Sequence, residues 1–238
     1  MTPLRKTALA GGVAYLLTFV SIPTLGLYEP VRDAQFVLGD GPATGVIWGG
    51  VLEMVVALAC IATAVILYPV VRRQDEAAAL GFAGVRVLEA ATIVAGVVLV
   101  MALVTLRQEG TDPLAAGQTL VALREWTFLL GQGFLPAVNA LLIGSLLYRS
   151  RLVPRALPVI GFIRAPLLTV SAVATLFGAW DQVSTTSGLL SLPIAVWEFS
   201  LGVYLTVKGF RPSPVTAGLE DPGHAETVGE HAEARAER

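Results

Sequence analysis

Six long apolar stretches constrain this chain more than any other feature of its sequence. A helix needs about 20 consecutive apolar residues to cross the hydrocarbon core of a bilayer. Hydrophobic residues make up 55% of the 238 residues and charged residues only 14%, compared with about 25% charged residues in an average soluble domain. The sequence therefore predicts an all-α, polytopic transmembrane helical bundle. Its six spans are predicted near residues 8–28, 46–71, 80–106, 125–148, 157–180 and 189–208.

Basic residues are distributed unevenly between the two sides of this predicted bundle. Short loops on the cytoplasmic side of a membrane protein carry an excess of arginine and lysine. When the loops are assigned alternately, one side has nine basic residues: Arg5, Lys6, Arg72, Arg73, Arg149, Arg151, Arg155, Lys208 and Arg211. The other side has three: Arg32, Arg107 and Arg124. We therefore predict that both termini are cytoplasmic.

The composition of the chain changes after Phe210. Residues 1–210 contain all six predicted spans and form the predicted transmembrane domain. Residues 211–238 are instead rich in proline, glycine, glutamate, alanine and threonine, so they bury too little apolar surface to offset the entropy cost of ordering. We predict that this segment is a disordered cytoplasmic tail.

Two local patterns concern the fourth span. Asp112 followed by Pro113 is typical of a helix start, because aspartate caps the first turn and proline is tolerated within it. This pattern predicts a short interfacial helix over residues 113–123, ahead of the span. The segment Gly-Gln-Gly-Phe-Leu-Pro over residues 131–136 predicts an interruption, either a simple kink or a broken helix that lines a site.

Five ionisable side chains lie inside the apolar stretches, namely Glu53, Arg86, Glu89, Arg164 and Glu198. A charge inside a bilayer is costly, so such residues usually face the interior of a bundle and pair with one another. Arg86 and Glu89 are three residues apart and therefore share one helical face. Arg164 and Glu198 lie at similar predicted depth, so these four residues are expected to meet. Glu53 lies nearer the outer end and is expected to be separate.

Three interpretations of these residues remain open. In the first, Arg86, Glu89, Arg164, Glu198, Glu53 and Asn139 bind a small ligand, an ion or a lipid. In the second, the same cluster only fixes helix packing, and the protein has a structural or partner-binding role. In the third, which has the least support, an intramembrane enzyme uses Glu89 or Glu198 as acid or base. A cavity beside the cluster would favour the first interpretation, and close mutual pairing without one would favour the second.

The absence of characteristic motifs argues against several functional classes. Both histidines, His224 and His231, lie in the tail, so no imidazole in the spans could bind zinc or haem. The sequence contains no Gly-x-Ser-x-Gly elbow, no phosphate-binding Gly-x-x-x-x-Gly-Lys loop and no basic patch typical of nucleic-acid binding. We predict no catalytic residue, metal or cofactor. The expected partners are the lipid bilayer and a small ligand or ion, and a homo-oligomer stays open.

Three arginine-containing segments resemble the DUF4386 family of bacterial integral membrane proteins. They are Leu-Tyr-Pro-Val-Val-Arg-Arg over residues 67–73, Val-Arg-Val-Leu-Glu-Ala over residues 85–90, and Leu-Leu-Tyr-Arg-Ser-Arg-Leu-Val-Pro-Arg over residues 146–155. The resemblance covers residues 5–208. It implies about six spans, with no assigned activity and no catalytic residues. We predict that the protein lies in the bacterial cytoplasmic (inner) membrane.

Overall fold

The computed structural model of the protein describes residues 1–39, 42–109 and 113–217, and within these ranges it contains helices and no strand. Six of the helical segments are long and apolar enough to cross a membrane, which confirms the predicted helical class and indicates a multi-pass membrane protein. They are α1 (Pro3–Leu17, continued by short turns to Leu27), α2 (Thr44–Val71), α3 (Glu76–Glu109), α4 (Leu114–Ser150), α5 (Ala156–Leu176) and α6 (Thr185–Val207).

The six helices form a closed ring, in which each helix packs on the next one along the chain and α6 packs on α1. The side chain of Arg5 in α1 closes this ring, because it donates hydrogen bonds to the carbonyls of Leu205 (3.1 Å) and Thr206 (2.6 Å). Gly12 lies at the same contact, where an added Cβ would be 2.6 Å from the backbone nitrogen of Thr206. The start of α1 and the end of α6 therefore lie at one end of the bundle, here called the termini end, and the opposite end is called the far end.

Helix α4 differs most from the prediction for its part of the chain. The predicted interfacial helix over residues 113–123 is the first part of α4 itself, because the helical path runs without a break from Leu114 into the span. Residues Leu129–Phe134 form a π-helical segment within it. Pro136 lacks the N–H that would bond to the carbonyl four residues earlier, so the regular α-helical pattern cannot continue there. The predicted interruption is therefore a local π segment.

The first residues after the last span pack against the bundle, which corrects the prediction that disorder begins at residue 211. The Arg211 N–H donates to the carbonyl of Leu152 at 2.8 Å, in the link between α4 and α5. Thr216 is buried in the same region. Composition did not indicate this order, because it depends on hydrogen-bond partners that are distant in sequence. Residues 218–238, the remainder of the predicted tail, lie outside the described residues.

Candidate functional site

Arg86 lies at the centre of a buried group that also contains Glu89, Asn139 and Glu198, here called the Arg86 cluster. Its guanidinium donates from Nη1 to Glu89 at 3.0 Å and from Nη2 to Glu198 at 2.9 Å. The Asn139 amide donates to the same Glu89 oxygen at 2.8 Å. The side chain of Arg86 is only 2% exposed, and those of Glu89 and Glu198 are 7% and 13% exposed. The structure therefore brings together four of the six predicted site residues.

Two further helices supply neutral partners to the same guanidinium. The Tyr15 ring of α1 lies 5.1 Å from the Arg86 guanidinium carbon, within the range of a cation–π contact. The Cys60 sulfur of α2 accepts from Nη1 at 3.6 Å. With Arg86 and Glu89 on α3, Glu198 on α6, and Asn139 on α4 bonded to Glu89, five of the six spanning helices are joined through this group of side chains. The cluster thus joins most of the ring near its middle.

Arg164 does not join the Arg86 cluster, which corrects the prediction that four charged residues meet. It is half-buried on α5 and makes no ion pair or hydrogen bond with any other described residue. The buried face of α5 runs through Gly161, Ala165, Leu168 and Ala172. Arg164 lies beside this face and not on it. Its predicted depth in the membrane did not determine the side of the helix on which it lies.

Glu53 belongs to a second buried group, as its predicted depth indicated. Its carboxylate is 1% exposed and forms an ion pair with Arg124 at 2.9 Å. Gln132 donates to the same oxygen at 3.2 Å, and the Tyr28 hydroxyl donates to the other oxygen at 3.3 Å. We call these four residues the Glu53 cluster. Because each carboxylate oxygen accepts at least one hydrogen bond, the buried charge is both paired and solvated by protein groups.

Arg124 is the residue of this cluster that sequence reasoning missed as a site residue. It was counted among the loop arginines, because the fourth span was predicted to begin at residue 125. In the structure its guanidinium lies between two aromatic rings, 5.3 Å from the centre of Tyr28 and 5.1 Å from that of Phe128. The signal was the spacing of Arg124, Phe128 and Gln132, which are four residues apart and share one face of a helix that starts earlier.

A cavity of about 500 Å³ lies at the far end, beside the Glu53 cluster. It is walled by the end of the α1 segment, by α3 and α4, and by the link between α5 and α6. Its aromatic lining residues are Tyr28, Trp126, Phe128 and Trp180. Its charged lining residues are Arg32, Arg124, Glu125 and Asp181. No residue of the Arg86 cluster lines this cavity, so the predicted charged centre and the described cavity are separate features.

The wall formed by the α5–α6 link is tied to α4 by one side chain. With its amide oriented so that both atoms have partners, Gln182 donates to the Glu125 carbonyl at 3.2 Å and accepts from the Leu129 N–H at 2.7 Å. Leu129 is the first residue of the π segment. The Leu129 N–H also donates to the Glu125 carbonyl within α4, so Gln182 shares this donor, and a sequence pattern alone could not show the contact.

Three residues that line the cavity carry buried polar atoms with no hydrogen-bond partner among the described residues. These atoms are Nε of Arg124, Oγ1 of Thr175 and Nε1 of Trp180. Buried polar atoms are usually hydrogen-bonded, so unpartnered atoms that line a cavity are compatible with a polar occupant. The Arg86 cluster also has two such atoms, Nε of Arg86 and Oδ1 of Asn139. The described residues include no group of three or more histidine, cysteine, aspartate or glutamate side chains that could hold a metal ion.

Comparison with known proteins identifies one family. The DUF4386 family model, described as a domain of unknown function, matches residues 10–209 and so confirms the resemblance drawn from the three arginine-containing segments. No curated protein and no solved structure matches the chain.

Proposed function

Since the chain belongs to the DUF4386 family of unknown function, we propose its function from its geometry: it is a non-enzymatic, multi-pass membrane protein that binds a small molecule in the far-end cavity. The single observation that carries this proposal is the cavity itself. Its volume of about 500 Å³ falls in the range of roughly 300–1,000 Å³ that is usual for small-molecule sites. Its lining combines aromatic walls with a few charged groups, which is also typical of such sites.

The Glu53 cluster gives this cavity a fixed polar wall. Arg124 is held by the Glu53 carboxylate and by two aromatic rings, and its side chain is only 13% exposed. A guanidinium fixed in this way loses little further conformational freedom when it contacts a ligand, so binding there is less costly. Within this proposal, Glu53 positions Arg124 and Arg124 meets the ligand.

The Arg86 cluster has the structural role that was the second interpretation of the buried charges. Both terminal nitrogens of the Arg86 guanidinium are bonded to carboxylates, and neither the far-end cavity nor the smaller one beside Leu129 is lined by Arg86, Glu89, Asn139 or Glu198. Polar contacts between membrane helices are individually modest, yet they set register. The cluster therefore holds five helices in one arrangement and supports the cavity from a distance.

We propose that the protein lies in a bacterial cytoplasmic membrane with both termini in the cytoplasm. The excess of basic residues at the termini end supports this orientation. The far-end cavity would then open toward the outer face of that membrane. The orientation is tested by fusing to the C-terminus a reporter that is active only outside the cytoplasm. Activity of this fusion would show that the orientation is the reverse of the proposed one.

Native mass spectrometry of the full chain, isolated in mild detergent from the membranes of producing cells, tests ligand binding. We expect a bound small molecule at one-to-one stoichiometry, and we expect Val183→Trp to lose it because Val183 lines the cavity. Val196→Trp is the matched control, since Val196 is as exposed as Val183 but lines neither described cavity. Retention of the same species by Val183→Trp, or its absence from the unaltered chain, would count against the proposal.

A further inference from the structure

An apolar groove continues from the far-end cavity along the side of the bundle. It measures about 220 Å³ and is lined by Leu129, Leu130, Phe134, Ala172, Val173 and Leu176. Leu129 lines both the groove and the cavity, so the two spaces are adjacent. The residues on α4 all belong to the π segment, and those on α5 belong to its last two turns. The groove has no polar lining and lies between two helices that face lipid.

The charged side chains of the cavity include both signs. Arg32, Glu125 and Asp181 are exposed lining residues, and none of them forms an ion pair with another described residue. The aromatic rings of Trp126 and Trp180 line the same space. Because the cavity is lined by unpaired side chains of both signs, a ligand that itself carries a positive and a negative charge is complementary to it.

We infer that the far-end site takes a zwitterionic phospholipid, with its headgroup in the cavity and one acyl chain in the groove. This inference rests on the proposed function and specifies the class of ligand. The lipid phosphate contacts Arg32 and the Arg124 guanidinium, because arginine is well suited to phosphate oxygens. The headgroup ammonium contacts Asp181 and Glu125, and an aromatic face adds a favourable cation–π contact.

The shape and position of the two spaces fit this division of the ligand. A polar cavity joined to a wholly apolar groove matches a molecule with a polar head and a hydrocarbon chain. Leu130, Val173 and Leu176 are each at least 42% exposed, so the groove opens toward the surrounding lipid and an acyl chain can enter it sideways. A fully soluble ligand would leave the groove unoccupied.

Thermal unfolding of the purified full chain in detergent provides the test. The probes are phosphatidylethanolamine, phosphatidylglycerol with the same acyl chains, and soluble phosphoethanolamine, each titrated separately. We expect phosphatidylethanolamine to raise the Tm in a saturable manner and to bind about tenfold more tightly than phosphatidylglycerol, because the latter lacks the ammonium group. We expect soluble phosphoethanolamine to bind much more weakly than the lipid.

Matched variants assign the effect to the site. Arg32→Gln and Asp181→Asn should each weaken phosphatidylethanolamine binding about tenfold, whereas Arg73→Gln, an exposed arginine at the termini end, should not change it. Val173→Trp fills the groove and should weaken binding of the lipid but not of phosphoethanolamine. Val170→Trp lies one turn earlier on α5 outside the groove and should leave lipid binding unchanged.

The outcomes separate this inference from the proposed function. Equal stabilisation by phosphatidylglycerol, or insensitivity to Arg32→Gln and Asp181→Asn, would overturn the zwitterionic headgroup. Equal affinity for soluble phosphoethanolamine and the lipid would overturn the acyl chain in the groove, while binding in the cavity would stand. If none of the three probes shifts the Tm while native mass spectrometry still shows another bound species, the lipid inference fails and the proposed function survives.

Discussion

Replacing Arg86 by leucine should destabilise the bundle strongly, because it leaves Glu89 and Glu198 without the cation that neutralises both. The Arg86 side chain is 2% exposed, and the two carboxylates lie 3.0 Å and 2.9 Å from it. Removing one partner of a buried ion pair costs about 3–5 kcal/mol, since an uncompensated charge stays buried. We therefore expect Arg86→Leu to lower the free energy of unfolding by about 3–5 kcal/mol.

The cost should be largely relieved when the orphaned charges are removed as well. In the triple variant Arg86→Leu, Glu89→Gln and Glu198→Gln, no charge is buried in the cluster. Only interhelical hydrogen bonds are then lost, and these average about 0.6 kcal/mol each between membrane helices. We expect the triple variant to be about 1–2 kcal/mol less stable than the unaltered chain.

Arg164→Leu is the matched control for this experiment. Arg164 lies on a neighbouring spanning helix but makes no ion pair with a described residue, so its loss should change the unfolding free energy by about 0.5 kcal/mol or less. The free energy of unfolding of all three variants is measured on the full chain in bicelles, by reversible titration with a denaturing detergent. The structural role of the cluster would be refuted if Arg164→Leu cost as much as Arg86→Leu, or if the triple variant regained nothing.

Two further predictions concern close contacts elsewhere in the bundle, and both are measured by the same unfolding titration. Gly161→Ala should cost about 1–3 kcal/mol, because its Cβ would lie 2.7 Å from Trp197, whereas Gly84→Ala, with no atom within 4 Å, should be neutral or stabilising. Equal effects of the two would contradict this. Tyr28→Phe removes a hydrogen bond to the Glu53 carboxylate and should cost about 1.5–3 kcal/mol; no change would show that the bond contributes nothing.

The sequence predicted the parts of the site that follow from helical periodicity and burial. Arg86 and Glu89 lie together because a spacing of three residues places them on one face of any α-helix. The partner of Glu53 could not be predicted in the same way. Arg124 pairs with it only because α4 begins eleven residues before the predicted span, so a residue assigned to a loop lies on a helix instead.

The positions of isolated residues around a helix were the least predictable. Arg164 was expected in the cluster because it has the right depth, but depth does not specify which face of α5 turns inward. The buried face includes Gly161, where an added Cβ would lie 2.7 Å from the Trp197 ring, and glycine alone does not mark a buried face in the sequence. Hydrophobicity all round a membrane helix removes the amphipathic signal that would have oriented it in a soluble protein.

Helix α5 connects these observations, because none of its described side chains belongs to either buried cluster or contacts Arg86. With the contacts of Tyr15 and Cys60 to Arg86, the Arg86 cluster joins the other five helices, and the Glu53 cluster joins Tyr28, just after the α1 segment, to α2 and α4. Yet α5 supplies Thr175 to the cavity and Ala172, Val173 and Leu176 to the groove. The charged contacts therefore fix the scaffold that carries the cavity and the groove. The α5 side of the cavity is held instead by apolar packing and by hydrogen bonds such as those of Gln182, with no ion pair among the described residues.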